Sequence, residues 1–336
     1  MNVRSGKRIL PVVAIFAVAF VLIGCGAGDD QEAASCGNEE IAALSPSGEG
    51  FNTFTMILRL NQTVDLEEFA RPGLRSLIRD RDVFVINTTY SGMDSSEARS
   101  LLSKVTRDFP CNRVVSLNSL GQDSDKPGYE YALVGEPGLD AVMVDWEPDT
   151  VALLGKNAWH ESVSANVAEA RGQLESIVSR LPDDSTTRVG LVTQYEQGWD
   201  YSTLASELER VNRTISRDFL GYQVVQTQYS CGAGNSKGMS DVVADLRESY
   251  REALSDEKAL SREDFLDRLG FEVSFSTTPE AGASEVVEED SPTDAAQCTQ
   301  DILTAGGSAV LYWATPSAIE AMLSTPVGKS LRNAAS

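Results

Sequence analysis

The sequence has few of the residues that build metal centres. Its 336 residues contain one histidine, His160, and five cysteines. The cysteines are far apart, whereas structural zinc sites use ligands paired at short spacings. We therefore predict neither a metal nor another cofactor.

Positive charge is also scarce. Lysine and arginine total 28 against 50 aspartate and glutamate residues, a formal net charge of −22, and no basic cluster interrupts the acidity. Nucleic acids and anionic surfaces would repel such a chain. We predict no nucleic-acid partner.

The N-terminal apolar stretch lacks the length of a confident membrane span. It covers 9–23, is broken by Pro11 and follows three cations, the pattern of a secretion signal. The tetrapeptide LIGC, ending at Cys25, resembles the bacterial lipobox, which implies cleavage before Cys25 and diacylglycerol on its thiol. An uncleaved anchor helix is the alternative. Both predict an extracytoplasmic chain tethered to the bacterial membrane, in the first case by a lipid anchor.

The segment after the signal peptide (1–24) predicts a flexible stalk. Residues 25–49 are small, acidic and poor in large apolar side chains. Residues 50–336 would then form one domain, long enough to bury a large core. Removing 1–24 leaves 25 cations and 50 acids, a formal charge of about −25. We expect a monomer.

Eight short apolar runs rich in β-branched residues alternate with amphipathic stretches. The runs are 53–60, 82–90, 113–120, 139–146, 188–195, 222–229, 271–277 and 308–315. Such runs are typical of parallel strands covered by helices on both faces. Asp94, with Glu97 three residues later, has the spacing of a helix capping box. The alternation predicts an α/β fold, a (β/α)8 TIM barrel. A doubly wound open sheet is the alternative, but no Gly-x-Gly-x-x-Gly follows the first run.

Four cysteines remain beside Cys25. Two disulfides are expected in an oxidising compartment, with three possible pairings. In a barrel, Cys111 precedes the third strand, near the entry of the stalk that carries Cys36. Cys231 follows the sixth strand, and Cys298 lies in the helical stretch before the eighth. These positions favour the pairs Cys36–Cys111 and Cys231–Cys298.

Acids, aromatic rings and amides collect where the predicted strands end, the face that carries chemistry in such barrels. They are Tyr90, Asp145, Glu147, Gln194, Tyr195, Tyr229, Tyr312 and Trp313. Aromatic faces stack on sugars and amides bind hydroxyl groups, so this composition favours a carbohydrate site, although strand-end aromatics also pack in cores. Asp145 and Glu147 share one strand face. Their proximity would raise one pKa and supply a general acid, unless both are solvated acids that cap the next helix.

The stretch DAVMVDWE, residues 140–147, resembles the fourth-strand signature of family 18 glycoside hydrolases, Asp-x-x-Asp-x-Asp-x-Glu. Asp140, Asp145 and Glu147 match it, whereas Met143 replaces its second acid. Tyr229 and Trp313 are similar to aromatic residues that end strands six and eight in that family.

The resemblance implies a glycosidase that acts on N-acetylglucosamine-containing glycans or cell-wall polysaccharide by substrate-assisted retaining hydrolysis. Glu147 would protonate the glycosidic oxygen, Asp145 would orient the acetamido group, and Tyr229 would donate to it. The residues expected to contact the substrate are Tyr90, Gln194, Tyr195, Tyr312 and Trp313. Without an acid at position 143, catalysis would be slow or lost. The alternatives are a glycan-binding barrel without activity, a cell-envelope scaffold for protein contacts, and a two-glutamate glycosidase that uses Glu280.

Overall fold

A computed structural model of the chain describes most of the barrel wall. The described residues are 54–88, 93–119, 132–146, 177, 179–182, 187–194, 220–227, 231, 238–253, 269–275 and 291–333. All of them belong to the larger of two units of the chain, Ser35–Ser336.

Eight parallel strands form a closed barrel in which every strand pairs with its neighbours in sequence. They are β1 (Thr55–Leu60), β2 (Val83–Asn87), β3 (Arg113–Ser119), β4 (Ala141–Trp146), β5 (Arg188–Gln194), β6 (Leu220–Gln226), β7 (Leu269–Ser274) and β8 (Ala309–Trp313). The barrel closes where β8 pairs with β1, with Leu311 beside Ile57. Each strand overlaps the apolar run that predicted it. The parallel α/β barrel is therefore confirmed, and the open sheet is excluded.

Helices lie in several of the connections and after β8. They are α1 (Thr63–Phe69), α2 (Pro72–Arg75), α3 (Ser95–Asp108), α4 (Met239–Ala253), α5 (Pro292–Thr304), α6 (Pro316–Ser324) and α7 (Pro326–Asn333). As predicted, Asp94 caps α3. Its carboxylate accepts from the backbone N–H groups of Ser96 and Glu97 at 2.7 and 2.9 Å, while Glu97 accepts from the N–H of Asp94. Among these helices, none is both long and apolar enough to cross a bilayer.

Side chains along each strand alternate between two apolar layers. The inward layer fills the barrel with Ile57, Val83, Val85, Val115, Leu117, Ala141, Met143, Val192, Val224, Ala309 and Leu311. The outward layer packs against the helices and includes Phe84 and Phe271, both fully buried. Full burial of such a side chain contributes about 1.5–3 kcal/mol, so the two layers together hold the wall in place.

A buried ion pair joins the last helix to the N-terminal ends of the first strands. Nη2 of Arg332 on α7 donates to Oδ2 of Asp82 at 2.8 Å, and both side chains are almost fully buried. The carboxylate of Asp82 also accepts from the backbone N–H groups of Met56 and Arg79. The Arg332 guanidinium carbon lies 4.8 Å from the centre of the Phe54 ring. One carboxylate thus connects the start of β1, the start of β2 and the C-terminal helix.

Candidate functional site

The barrel interior changes from apolar to polar toward the C-terminal ends of the strands. Three polar side chains also face inward, because each is two positions along its strand from a residue of the inward layer, namely Ile57, Val85 or Val224. These are Arg59 on β1, Asn87 on β2 and Gln226 on β6. On β7, Gly270 faces the same interior, because a Cβ added to it would contact side chains of Ile57, Val224 and Ala309. Glu272 and Ser274 follow it on that face. Parallel barrels carry their sites at this end.

Arg59 is at the centre of this polar end. Its guanidinium carbon lies 3.3 Å from the centre of the Trp313 ring, the separation of stacked planar groups. Trp313 itself packs against the inward apolar layer from β8. Nε of Arg59 has no hydrogen-bond partner among the described residues. The stack therefore holds the guanidinium in one place, while this buried donor stays unpaired among the described residues.

Burial lowers the pKa of Arg59 to about 10, and the carboxylates of Glu272 and Asp65 act in the opposite direction. A guanidinium with this pKa remains protonated at neutral pH. The barrel therefore holds a positive charge that burial disfavours, which is a feature of functional sites more often than of packing.

The acids around Arg59 are held by different contacts. Glu272 is 1% exposed and pairs in register with Gln226, which is 3% exposed. The hydroxyl of Thr227 donates to the backbone carbonyl of Glu272 at 2.9 Å. Asp65, at the start of α1, accepts from the backbone N–H groups of Asn61 and Gln62 and so orders the loop after β1. We define Arg59, Trp313, Glu272, Gln226 and Asn87 as the mouth cluster.

Asn87 extends the mouth cluster toward the loop after β1. Its Nδ2 donates to Oδ1 of Asn61 at 3.0 Å. Thr88, the residue directly after β2, donates through Oγ1 to the backbone carbonyl of Leu117 at 2.9 Å. These bonds tie the ends of β1, β2 and β3 together and give the mouth a defined polar rim.

Several predicted site residues lie outside the described part of the chain. Tyr90, Glu147, Tyr195 and Tyr229 are among them. Asp145 and Gln194 occupy β4 and β5, where their backbones pair with Ser119 and Val192, and with Gln226, respectively. The described residues do not include their side chains. The predicted placement of these six side chains at the barrel mouth therefore stays a prediction.

Trp313 and Tyr312 lie on opposite faces of β8. Trp313 is half-buried at the barrel mouth, where Arg59 stacks on its ring. Tyr312 is fully buried between β8 and α5, where its hydroxyl bonds the hydroxyl of Thr299 at 3.0 Å and its ring packs edge-on against Phe275. The prediction that Tyr312 contacts a substrate is wrong, because neighbouring strand residues point to opposite faces.

Two positions of the DAVMVDWE stretch have structural roles. Oδ2 of Asp140 accepts from the backbone N–H of Val114 at 2.7 Å, and the N–H of Asp140 donates to the carbonyl of Val114, which joins β3 to the start of β4. Met143 is buried in the inward apolar layer. Both residues therefore support the barrel wall.

A disulfide joins Cys231 to Cys298, with 5.6 Å between their Cα atoms. This is the pairing expected from their positions, and it ties the connection after β6 to α5. Cys111 is also disulfide-bonded, while Cys36, its expected partner, lies outside the described residues. Within the described segments, no group of three His, Cys, Asp or Glu side chains is placed to hold a metal ion.

Sequence reasoning missed Arg59 and Glu272. Each is a charged residue inside an otherwise apolar run, TFTMILRL and FEVSFST. Charged residues are almost never fully buried unless they are paired, so a charge at a predicted inward position is a usable signal. The functional prediction used strand-end aromatic residues and did not use this charge signal.

Comparisons with known proteins give neighbours of the fold. No protein-family model and no curated protein sequence matches the chain. It is similar to hydroxymethylglutaryl-CoA lyase from Pseudomonas aeruginosa, at 12% identity and a TM-score of 0.43, over 79% of this chain and 77% of that one. It is also similar to the HMG-CoA lyase from Brucella melitensis, at 10% identity and a TM-score of 0.40, over 77% and 80%. A third neighbour is the HpcH/HpaI aldolase from Desulfitobacterium hafniense DCB-2, at 11% identity and a TM-score of 0.38, over 82% and 95%.

These comparisons contradict the resemblance to family 18 glycoside hydrolases. The three neighbours are two lyases and an aldolase by name. The predictions of a glycosidase, of carbohydrate binding and of hydrolysis are therefore wrong. The eight-residue match came from a strand pattern, and Met143 already departed from it. At identities of 10–12% the neighbours' own activities do not transfer to this chain.

The buried phenol of Tyr312 predicts a loss of stability in alkali. Burial raises the pKa of Tyr312 well above its ordinary value. The unfolded chain loses this proton near pH 10 and the folded chain keeps it, so the contribution is full below about pH 10 and is lost as the pH rises. Replacing Tyr312 with Phe should make the decline in stability between about pH 9 and 11 shallower, as measured by urea unfolding at each pH. Parallel declines for the two proteins would contradict this assignment.

Proposed function

We propose that the protein is a lipid-anchored, extracytoplasmic barrel protein that binds a small polar ligand in the mouth cluster. The observation that carries the proposal is Arg59, a charged side chain inside the barrel whose Nε lacks a partner among the described residues. A barrel needs no such charge for stability, since replacing buried ionic groups by apolar ones is often neutral or stabilising. A ligand that accepts a hydrogen bond from Arg59 accounts for its retention.

The surrounding side chains suit a small ligand. Trp313 supplies a rigid apolar surface, and Gln226, Asn87 and Glu272 supply polar groups from β6, β2 and β7. Small-molecule sites combine these two features, mostly apolar walls with a few convergent polar groups. The barrel interior below Arg59 and Trp313 is filled mostly with apolar side chains, so the site lies at the mouth of the barrel.

The finer description of the fold is part of the proposal. Helices between β1 and β2, β2 and β3, β6 and β7, and β7 and β8 support a complete (β/α)8 repeat in one domain. The proposed order along the chain is a signal peptide over 1–24, lipidated Cys25 with a stalk to 49, and the barrel from 50.

The anchor can be tested directly. Cys25→Ala removes the thiol that the lipid requires, so the full-length chain expressed in bacteria should lose incorporation of labelled palmitate. Two or three acyl chains hold a protein firmly on a membrane, and the variant carries none. Once its signal peptide is cleaved, the variant should therefore also leave the membrane fraction. Wild-type protein without label would contradict the lipid anchor.

Ligand binding should depend on Arg59. The larger unit of the chain, Ser35–Ser336, which holds the barrel domain and part of the stalk, would be screened by thermal shift against small carboxylates, phosphates, amines, amino acids and neutral polyols. Compounds that stabilise the wild type should lose about 10- to 100-fold in affinity with Arg59→Met, since a charge-assisted hydrogen bond contributes about 1.5–3 kcal/mol.

The matched control is Arg99→Met, an exposed arginine on α3 with 54% of its side chain accessible. It should bind like the wild type. Arg59→Met removes the cation beside buried Glu272, so we expect it to be less stable than the wild type by up to about 3–5 kcal/mol, and thermal unfolding without ligand shows whether it is folded. Equal ligand binding by the wild type and Arg59→Met, or a screen with no stabilising compound, would contradict a site in the mouth cluster.

A further inference from the structure

We infer that the ligand of the mouth cluster is a small zwitterion, with a carboxylate that binds Arg59 and an ammonium group that binds Glu272. The inference rests on the proposed ligand site and adds the chemical class of the ligand. It follows from one buried, unpartnered donor of the Arg59 guanidinium and from the acids that act on its charge.

The carboxylate is assigned from the geometry of Arg59. A guanidinium is planar, and the 3.3 Å stack on Trp313 occupies one of its faces. Its N–H groups therefore point outward in the plane of the stack. Nε, the donor on the side-chain edge, has no hydrogen-bond partner among the described residues. A carboxylate suits this donor, because hydrogen bonds between a guanidinium and an ionised acceptor are the strong, charge-assisted kind.

The ammonium group is assigned from the local charge. The carboxyl groups of Glu272 and Asp65 both act on the Arg59 charge, so two acids of the described residues lie near one cation. The chain as a whole carries −22. A ligand with only a carboxylate would add a further acid to a poorly solvated place, which is unfavourable. A ligand that also carries an ammonium group adds no net charge.

Of the two acids, Glu272 is the partner for the ammonium group. Both described hydrogen bonds to Asp65 come from the backbone of the loop after β1 and use Oδ2, in a capping arrangement at the surface of α1. Glu272 lies in the barrel, in register with Leu311, which in turn pairs with Ile57. It is therefore one inward position deeper than Arg59. A carboxylate has about four acceptor sites, so Glu272 can accept from a ligand besides its other contacts.

The two anchors also set a size. Glu272 and Arg59 are separated by β8, so their backbones are about 10 Å apart across two strand spacings. Both side chains lie on the inward face of the barrel, so a ligand that contacts both must be compact. Amino acids with one to three carbons between the charged groups have this size.

The test uses matched sets of three compounds against the barrel domain. Each set contains an amino acid, the same acid without its amine and the same amine without its carboxylate. The sets are built on the common α-amino acids, β-alanine and 4-aminobutanoate, and binding is measured by thermal shift and calorimetry. We expect at least one amino acid to bind at least 10-fold more tightly than either of its halves.

Two variants assign the groups. Glu272→Gln should weaken the amino acid at least 10-fold and bind the matched carboxylate as tightly as the wild type or more tightly, whereas Arg59→Met should weaken both. Arg59→Lys, which keeps the charge and loses the planar edge, should bind the amino acid at an intermediate level. Thermal unfolding of each variant without ligand shows whether it is folded, and Glu272→Asp serves as a second variant if Glu272→Gln is not.

The outcomes separate the two proposals. If compounds of other classes bind in an Arg59-dependent way and the amino acids do not, the zwitterion is overturned and the ligand site stands. Equal binding of amino acids and their matched carboxylates has the same meaning. If neither these sets nor the wider screen contains a binder, both proposals are overturned.

Discussion

Replacing Arg332 with alanine is expected to lower the free energy of unfolding by about 3–5 kcal/mol, because the change leaves a buried carboxylate without its cation. Asp82 is 0% exposed and would keep only its bonds to the backbone N–H groups of Met56 and Arg79. Arg332 lies 250 residues further along the chain, so the pair joins its two ends across the barrel base. Urea unfolding, followed by circular dichroism, measures the loss.

Two controls distinguish the cost of leaving the Asp82 charge buried and unpaired from the cost of losing the contacts of an arginine side chain. Arg99 and Glu136 form a surface pair at 2.6 Å, with 54% and 32% of their side chains exposed, and Arg99→Ala should cost at most about 1 kcal/mol. The double variant Asp82→Asn with Arg332→Met should be more stable than Arg332→Ala, because it leaves no unpaired charge. An Arg332→Ala protein as stable as Arg99→Ala would show that water reaches Asp82 and that the ends of the chain are held by apolar packing alone.

Removing the Cys231–Cys298 disulfide is expected to lower the free energy of unfolding by about 2–4 kcal/mol. The two cysteines are 67 residues apart in sequence, and a cross-link over a loop of this length restricts the unfolded chain strongly. Cys298 is also 4% exposed on the inner face of α5, so its replacement must keep the volume small and apolar. The double variant Cys231→Ala with Cys298→Ala meets this condition, and its unfolding in urea is compared with that of the oxidised wild type.

The double variant is preferable to chemical reduction, because Cys111 is disulfide-bonded too and would be reduced at the same time. Adding dithiothreitol to the double variant then measures the remaining cross-link by itself. The disulfide joins the connection after β6 to α5, next to the strands that carry Gln226 and Glu272. If the double variant unfolds at the same urea concentration as the wild type, the cross-link stabilises little and the helix is held by its own packing.

Local sequence patterns predicted most of the fold. Each strand is a run of apolar residues long enough to be buried on both faces, and such runs are visible without knowledge of their partners. Asp94 and Glu97 placed the start of α3, because a capping box uses only residues within one helical turn. Strand ends were less accurate by a few residues, as at β6, where pairing with β5 includes a register shift between Val189 and Leu191.

The functional prediction failed because it relied on a pattern that a barrel strand produces for other reasons. Asp140 bonds the backbone of Val114, and Met143 belongs to the inward apolar layer. An acid at the start of a strand can therefore match one position of an eight-residue signature because of strand pairing alone. Tyr312 shows the same limit, since one position along the strand separates the barrel mouth from the helix-facing core.

The sequence by itself determined the number and order of the strands, the start of α3 and the pairing of Cys231 with Cys298, because these depend on periodicity and on position along the chain. Only the tertiary structure decided that Arg59 stacks on Trp313 beside Glu272, and that Arg332 reaches Asp82. These contacts join residues more than 200 positions apart. Closure of the barrel brings them together, and no local pattern encodes which distant side chains will then share one buried space.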